Sequence, residues 1–281
     1  MNPSIKRKST ICAHIPTRNC VHELSLCLSF LNFVDEIIVA DNSSNSDIEN
    51  LLNREEFSHI THIYTQESDI RKRLLELNSI SKSDFILWVH TDEIYTSDLA
   101  DEILENLRTV QDDVDGFYIP SRVTNFGHDF NEGHTQLRLV RKGKFTFPFD
   151  GMHDMPIVKG KTIHLTHYYK HINNPNIGIT LIKHIGYERL TAKDIGKNED
   201  LISFLDSKGI KLYLGIFVFW IKSFIRFVRY FLVFRNLGFV GFCLAFSNSF
   251  HFMAMCLMQT EEKRIREGKM DKSSRNYRGY L

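Results

Sequence analysis

The chain has no CxxC pair, no fixed-period repeat, almost no net charge and no unbroken apolar leader. Its cysteines, Cys12, Cys20, Cys27, Cys243 and Cys256, are odd in number and irregularly spaced. That fits free thiols in a reducing compartment better than a disulfide framework. Lys6-Arg7-Lys8 imitates a signal-peptide n-region, but Pro16, Arg18 and Asn19 break the segment that would follow, so no secretory signal is expected. Without a repeat, a solenoid or propeller is excluded. The net charge of +1 hides an asymmetry, because 13 Lys/Arg stand against 4 Asp/Glu from Lys208 onward, leaving a net −8 before it. An acidic body with a basic end implies two surfaces with different partners. Arg71-Lys72-Arg73 has no aromatic neighbours and sits in the acidic body, so it reads as a solvated helix face or a phosphate contact, and no nucleic-acid partner is expected.

What is present is an ordinary globular composition and one organising stretch, Asp84 to Glu93. Phe85 to Val89 is too short to span a membrane and reads as a strand buried on both faces, as in a parallel α/β sheet. The run stops at His90-Thr91-Asp92-Glu93, placing acids at a strand's carboxyl end, where ligands bind in open α/β sheets. Adjacent carboxylates repel unless something positive is held there, and an oxygen-rich site suits Mg²⁺ or Mn²⁺ with a phosphate. The plainer reading is that both acids open the next helix.

Upstream, strands are expected over 10–15, 36–40 and 59–65, each followed by a polar loop and an apolar-periodic helix. Asn19 and Ser68-Asp69 are the expected caps of the first and third of these helices. Strand and helix in alternation at this spacing build right-handed βαβ units, so Arg18, Asp41 and Asp92 should converge on one cleft. Beyond Asp113 short strands over 116–120, 136–141, 145–147, 155–158 and 161–166 should extend the sheet, and a helix over 177–190 should follow. His164, His167 and His171 lack a nearby cysteine and straddle a strand end, which weighs against a zinc site.

Three segments now stand together: Ile15-Pro16-Thr17-Arg18-Asn19, the run from Asp35 through Asp41 to Ser44, and the strand ending His90-Thr91-Asp92-Glu93. In this order and spacing they resemble family 2 glycosyltransferases of the GT-A fold, a Rossmann-like, mostly parallel sheet with helices on both faces. The nearest branch is the lipopolysaccharide-core glucosyltransferase-like group. Arg138-Leu139-Val140-Arg141, His153-Asp154 where that branch has His-Glu, His167-Tyr168 and Tyr187 add to the likeness over residues 10 to 190. The resemblance implies that Pro16, Thr17, Arg18, Asn19 and Asp41 line a nucleotide pocket, with Asp41 accepting from the base. It also implies that Arg71 or Arg73 faces the diphosphate, that Arg138 lies on the acceptor side, and that Asp92 is the metal-binding carboxylate of the family's DxD. His90 replaces the first Asp of that motif; a neutral imidazole can ligate Mn²⁺ or Mg²⁺ but brings no negative charge. The implied base is Asp154, delivered with His153, and Asp150 is its rival; as turn acids around Gly151 both also have a plain structural reading. Such a reaction inverts the anomeric centre, and the alternative is a catalytically silent GT-A-like protein that binds saccharide or nucleotide.

The apolar segment 212–234 contains no acid and no proline. At 100° per residue from Lys222, Arg226 and Arg229 fall at about 40° and about −20°, and Tyr213, Phe217, Trp220, Phe224, Phe227, Phe231 and Phe234 between about 120° and 220°. That suits a helix lying in a membrane interface with cations toward anionic headgroups. Leu237 to Met258 is long enough to span, but its Gly, Ser, Asn and His content makes it a poor span. The expected organisation is therefore a GT-A domain over 1–205 (1–110 nucleotide-binding, 111–205 acceptor-side), a membrane-associating helical region over 206–258 and a charged tail over 259–281. The expected setting is the cytoplasmic face of the inner membrane, with a nucleotide-sugar donor, expected to be UDP-linked, and a glycolipid or lipid-linked saccharide acceptor.

Overall fold

Short runs of β-branched and aromatic residues become strands here because both of their faces are covered. The computed structural model describes residues 9–67, 69–130, 133–147, 156–194 and 212–266. Along β1 (Ile11–Thr17) and β4 (Phe85–Trp88) alternate side chains enter two separate cores, Ile11, Ala13, Ile15, Phe85 and Leu87 in one, Cys12, Ile86 and Trp88 in the other. Helices α1 (Val21–Leu28), α2 (Asp47–Leu52) and α4 (Ser97–Thr109) supply Leu24, Leu51 and Ile103 to the first; α3 (Ile70–Ile80) supplies Leu74 and Leu77 to the second. Side chains of this size stabilise by roughly 1.5–3 kcal/mol each when fully buried, so the two-faced runs fix the centre of the sheet.

These elements form the first of two units, Met1–Thr124 with Asp129–Asn173. Its sheet runs β3-β2-β1-β4-β8-β6-β12-β5, with β7 (His128–Asp129) and β11 (Lys161–His164) paired to β6. Strands β2 (Glu36–Asp41) and β3 (Thr61–Tyr64) complete a parallel half with β1 and β4. Then β8 (Thr135–Arg141) pairs antiparallel with β4 and with β6 (Val114–Asn125), giving the mixed second half expected. Three strands were not expected: the short β7, and β5 (Glu93–Tyr95) and β12 (Tyr169–Asn174), which pair antiparallel with each other at the end of the order. A separate pair joins β9 (Phe145–Thr146) to β10 (Ile157–Val158). Asp69 caps α3 by accepting from Arg71 N at 2.9 Å, as expected, and Thr96 caps α4.

The second unit comprises Asn125–His128 and Asn174–Leu281. In it α5 (Ile177–Asp194) and α6 (Leu212–Phe234) both pack on α7 (Phe239–Arg266). Ser223 of α6 and Ser249 of α7 are buried and hydrogen-bonded at 2.8 Å. The turn between the helices needs glycine twice: Gly238 has φ 56°, and a Cβ on Gly241 would lie 2.0 Å from the Phe234 carbonyl oxygen. Phe227, expected among the outward aromatics, instead packs edge-on against Phe242 at 5.7 Å, and Arg226 lies over the Tyr230 and Phe252 rings. The outward face of α6 keeps Phe217, Trp220, Phe224, Ile225, Phe231 and Leu232, with Lys222 and Arg229 also exposed. Among the described residues no helix is long and apolar enough to cross a membrane.

Candidate functional site at the carboxyl edge of the sheet

Parallel pairing aligns the carboxyl ends of β1, β2 and β4, since Thr17 faces Asp41 across one ladder and His14 faces Trp88 across the other. The loops that leave these ends are tied to one another. Asn19 adopts φ 53° and does not cap α1; its N–H donates to Ser43 Oγ at 2.8 Å and its Oδ1 accepts from Ser44 N–H at 3.1 Å. A left-handed Asn is one of the few non-glycine residues that tolerates this backbone, and here it joins the loops after β1 and β2. Asp41 is buried, accepts from Ser43 N–H through Oδ1 and lies 3.3 Å from His62 Nε2 through Oδ2.

Arg73 reaches this corner from α3. Its Nη1 lies 3.4 Å from both the Thr17 and Ala40 carbonyl oxygens, its Nε is buried without a partner, and Arg18 and Asp41 both act on its charge. Burial works against that charge and Glu67 and Asp41 support it. Arg71 points elsewhere, holding Asp69 with Nε and Nη2 at 3.0 and 2.9 Å. Of the two arginines, Arg73 is therefore the one placed beside Arg18 and Asp41.

At the tip of β4 the two acids separate. Glu93 turns inward, fully buried, where its Oε2 accepts from His90 N–H at 3.0 Å and its Oε1 from Arg138 Nη2 at 2.6 Å. The positive partner that adjacent acids require is thus, for Glu93, a buried guanidinium. Burial pushes the Glu93 carboxyl up; burial also opposes the Arg138 charge, but Glu93 outweighs it and holds the guanidinium's proton more tightly than usual. Arg138, expected on the acceptor side, is only 4% exposed and its charge is committed to this pair.

Asp92 stays partly exposed, at 25%, with its Oδ2 3.4 Å from His171 Nε2 on β12. Its backbone carbonyl accepts from Ile172 N–H, so the unexpected strand β12 is what holds the Asp92 loop. His90 is held well below its usual value, first by burial and then by the Arg138 guanidinium, and its Nε2 is buried without a partner. A neutral imidazole with a free ring nitrogen is a competent metal ligand. Cys20, at the start of α1, lies close enough to Thr91 and Asp92 for both to act on its thiol, which brings the β1 and β4 loops together.

Among the described residues no three His, Cys, Asp or Glu side chains gather tightly enough to hold a metal alone. A divalent cation at Asp92 and His90 would complete its shell with oxygens of a bound ligand, the usual habit of Mg²⁺ and Mn²⁺ with phosphates. Pro16, Thr17, Arg18, Asn19, Asp41, Arg73, His90 and Asp92 are thus on one edge, and Arg71 and Arg138 are engaged by acids. His153, Asp154 and Asp150 lie outside the described residues. Sequence reasoning missed His62 and the Glu93–Arg138 pair, and it weighed His171 only as a zinc ligand and not as the neighbour of Asp92. His14 was a legible oddity, a lone imidazole in the middle of an otherwise apolar buried strand.

Neither a family model nor a curated protein sequence matches the chain. Among solved structures it is similar to a mannosyltransferase from Pyrobaculum calidifontis in complex with GDP-Man and Mn²⁺, with a TM-score of 0.50, 10% identity and coverage of 93% of this chain and 90% of that one. It is also similar, at a TM-score of 0.33 and 15% identity, to the glucosyl-3-phosphoglycerate synthase from Mycobacterium tuberculosis, covering 41% of this chain and 44% of that one. The first likeness extends over nearly the whole chain and establishes the architecture, the GT-A fold with a mixed α/β central sheet and flanking helices.

Proposed function

We propose that the chain is an inverting glycosyltransferase that moves a sugar from a nucleotide-sugar donor to a lipopolysaccharide-core, glycolipid or lipid-linked saccharide acceptor at a membrane surface. The observation that carries the reading is the meeting of Arg18, Asp41, Arg73 and Asp92 at one edge of a GT-A sheet. The similar mannosyltransferase, solved with GDP-Man and Mn²⁺, supports the choice of ligands. In this reading Asp41 accepts from the nucleobase and Arg73 and Arg18 face the diphosphate. Asp92 and His90 hold a Mn²⁺ or Mg²⁺ ion, which when bound offsets charge on the leaving diphosphate. The acceptor hydroxyl attacks the anomeric carbon in line with the departing oxygen while a carboxylate takes its proton; by resemblance that carboxylate is Asp154, with Asp150 its rival.

Thermal unfolding with a panel of UDP-, GDP- and CMP-linked sugars, with and without Mn²⁺, tests this. A ligand held at about 100 times its Kd stabilises the fold by about 2.7 kcal/mol. The expected result is a rise in Tm for one nucleotide class that depends on Mn²⁺. No rise with any of them would reject nucleotide-sugar binding. A rise without any transfer or hydrolysis would favour a silent binding protein, the reading that the His90 substitution supports.

The acceptor's membrane setting rests on α6, whose outward Phe217, Trp220 and Phe224 are 60%, 59% and 65% exposed. With Lys222 and Arg229 also exposed, the helix suits an interfacial position among anionic lipids, at the cytoplasmic face of the inner membrane. Phe224→Glu combined with Phe231→Glu is expected to release the protein from anionic vesicles in a flotation assay, at least tenfold in partition. Undiminished flotation of the double variant would count against the membrane role.

A further inference from the structure

The carboxyl edge of the sheet continues outward from β2 to β3, where two further side chains stand beside Asp41. Asp41 pairs in register with Tyr64, and Val39 with His62. Their chain neighbours Ala40 and Ile63 pack into the core on the α3 side. Because side chains alternate along a strand, Asp41, His62 and Tyr64 all face the opposite side of the sheet. His62 Nε2 lies 3.3 Å from Asp41 Oδ2, and Ser43 N–H donates to Oδ1, so both oxygens of the carboxylate are held.

Exposure divides the three. Asp41 is 2% exposed, the His62 side chain 24% and Tyr64 62%. The surface that a ligand of Asp41 meets is therefore mostly the Tyr64 ring. Among the described residues that ring makes no aromatic or cationic contact and its hydroxyl no hydrogen bond. A single exposed aromatic is ordinary, but the backbone around this one is tied down. Thr65 N–H donates to the Asp41 carbonyl at 2.8 Å, and Asn42 Nδ2 donates to the Thr65 carbonyl at 2.8 Å. A ring on a fixed backbone, one strand spacing of about 4.8 Å from an acceptor, has the two parts that hold a nucleobase: a flat face for stacking and an edge group that takes an N–H.

The strand order adds a length. In the run β3-β2-β1-β4 the first and last strands are three spacings apart, about 14 Å. An extended nucleoside diphosphate can bridge that gap, with its base over β3 and β2, its phosphates passing Arg18 after β1, and its far end at Asp92.

We infer that Tyr64 is the residue on which the nucleobase of the donor stacks, while Asp41, positioned by His62, takes an N–H from the base edge. The inference rests on the proposed nucleotide-sugar reading and adds to it a contact residue on β3. Stacking tolerates any base, so Tyr64 supplies affinity and Asp41 the choice among bases.

Calorimetric titration of UDP, GDP and CDP, each with Mn²⁺, into wild type, Tyr64→Ala and Tyr64→Phe tests this. Because the ring is exposed, the Tm of both unliganded variants is expected to match wild type. For the nucleotide that wild type binds best, the expected result is binding at least about tenfold weaker in Tyr64→Ala, the effect of one lost base–aromatic stack, and within about twofold of wild type in Tyr64→Phe. Undiminished binding in Tyr64→Ala, or an equal loss in Tyr64→Phe, overturns the stacking. If Tyr64→Ala fails to fold, Tyr64→Trp carries the test. Its added fluorescence is expected to be quenched by the stacked base, and emission unchanged at saturating nucleotide overturns the inference. A wild-type protein that binds none of the three instead overturns the nucleotide-sugar reading on which it rests.

Discussion

Asp92→Ala is expected to lose transfer, or hydrolysis of the sugar nucleotide, by at least about 100-fold, because a metal carboxylate contributes several kcal/mol to a transition state that releases a diphosphate. The structure singles out Asp92 over its neighbour. Asp92 keeps a quarter of its side chain exposed at the sheet edge, whereas Glu93 is fully buried under Arg138. The fold should survive the change, since the backbone carbonyl of residue 92 keeps its bond from Ile172 N–H on β12 when the side-chain contact to His171 is lost. His90→Asp is expected to retain or raise the same activity by restoring the charge that the motif lacks, most clearly when Mn²⁺ is limiting. Initial rates for the three proteins across a Mn²⁺ series provide the check. Full activity in Asp92→Ala would reject the metal role.

Glu93→Ala is expected to destabilise the first unit by about 3–5 kcal/mol, the usual result of stranding one member of a buried ion pair. Among the described residues Arg138 pairs with no second acid: its Nε donates to Tyr169 Oη at 3.3 Å and its Nη1 is unpartnered. Replacing both members together, Glu93→Leu with Arg138→Met, should recover much of the loss, because apolar residues of similar volume often match a buried pair in stability. Urea unfolding of the single and double variants measures this. A loss below about 1 kcal/mol in Glu93→Ala would place the pair with solvent-exposed bridges and contradict its burial.

Much of the architecture was legible because the strands of the parallel half are apolar on both faces. Phe85 to Trp88 and Ile37 to Ala40 have few other places to go. The strand Tyr169–Asn174, next to last in the sheet, was invisible for the converse reason: Tyr-Lys-His-Ile-Asn-Asn buries only its first residue fully, and backbone pairing to its neighbours, Glu93–Tyr95 among them, defines it. Asn19 shows a different limit. Its residue type announces a cap, but its tertiary partners Ser43 and Ser44 lie on the loop after β2 and pull it into the left-handed region.

At the site, the spacing of strands was enough to bring Arg18, Asp41 and Asp92 to one edge. It was not enough to tell which of two adjacent acids turns inward, since that depends on Arg138, 45 positions away. Nor could helical periodicity separate Phe227 from Phe231. The first faces α7 and the second is outward because of where α7 packs, a fact carried by the second helix.

The central claim is that loops from three parallel strands share one nucleotide diphosphate and one divalent cation. A crystal structure of the chain grown with Mn²⁺ and the nucleoside diphosphate selected by thermal shift tests it most directly. The account predicts the base against Asp41, the phosphates beside Arg18 and Arg73, and the ion on Asp92. Nucleotide bound away from the carboxyl ends of β1, β2 and β4, or an ion without Asp92 among its ligands, would contradict it.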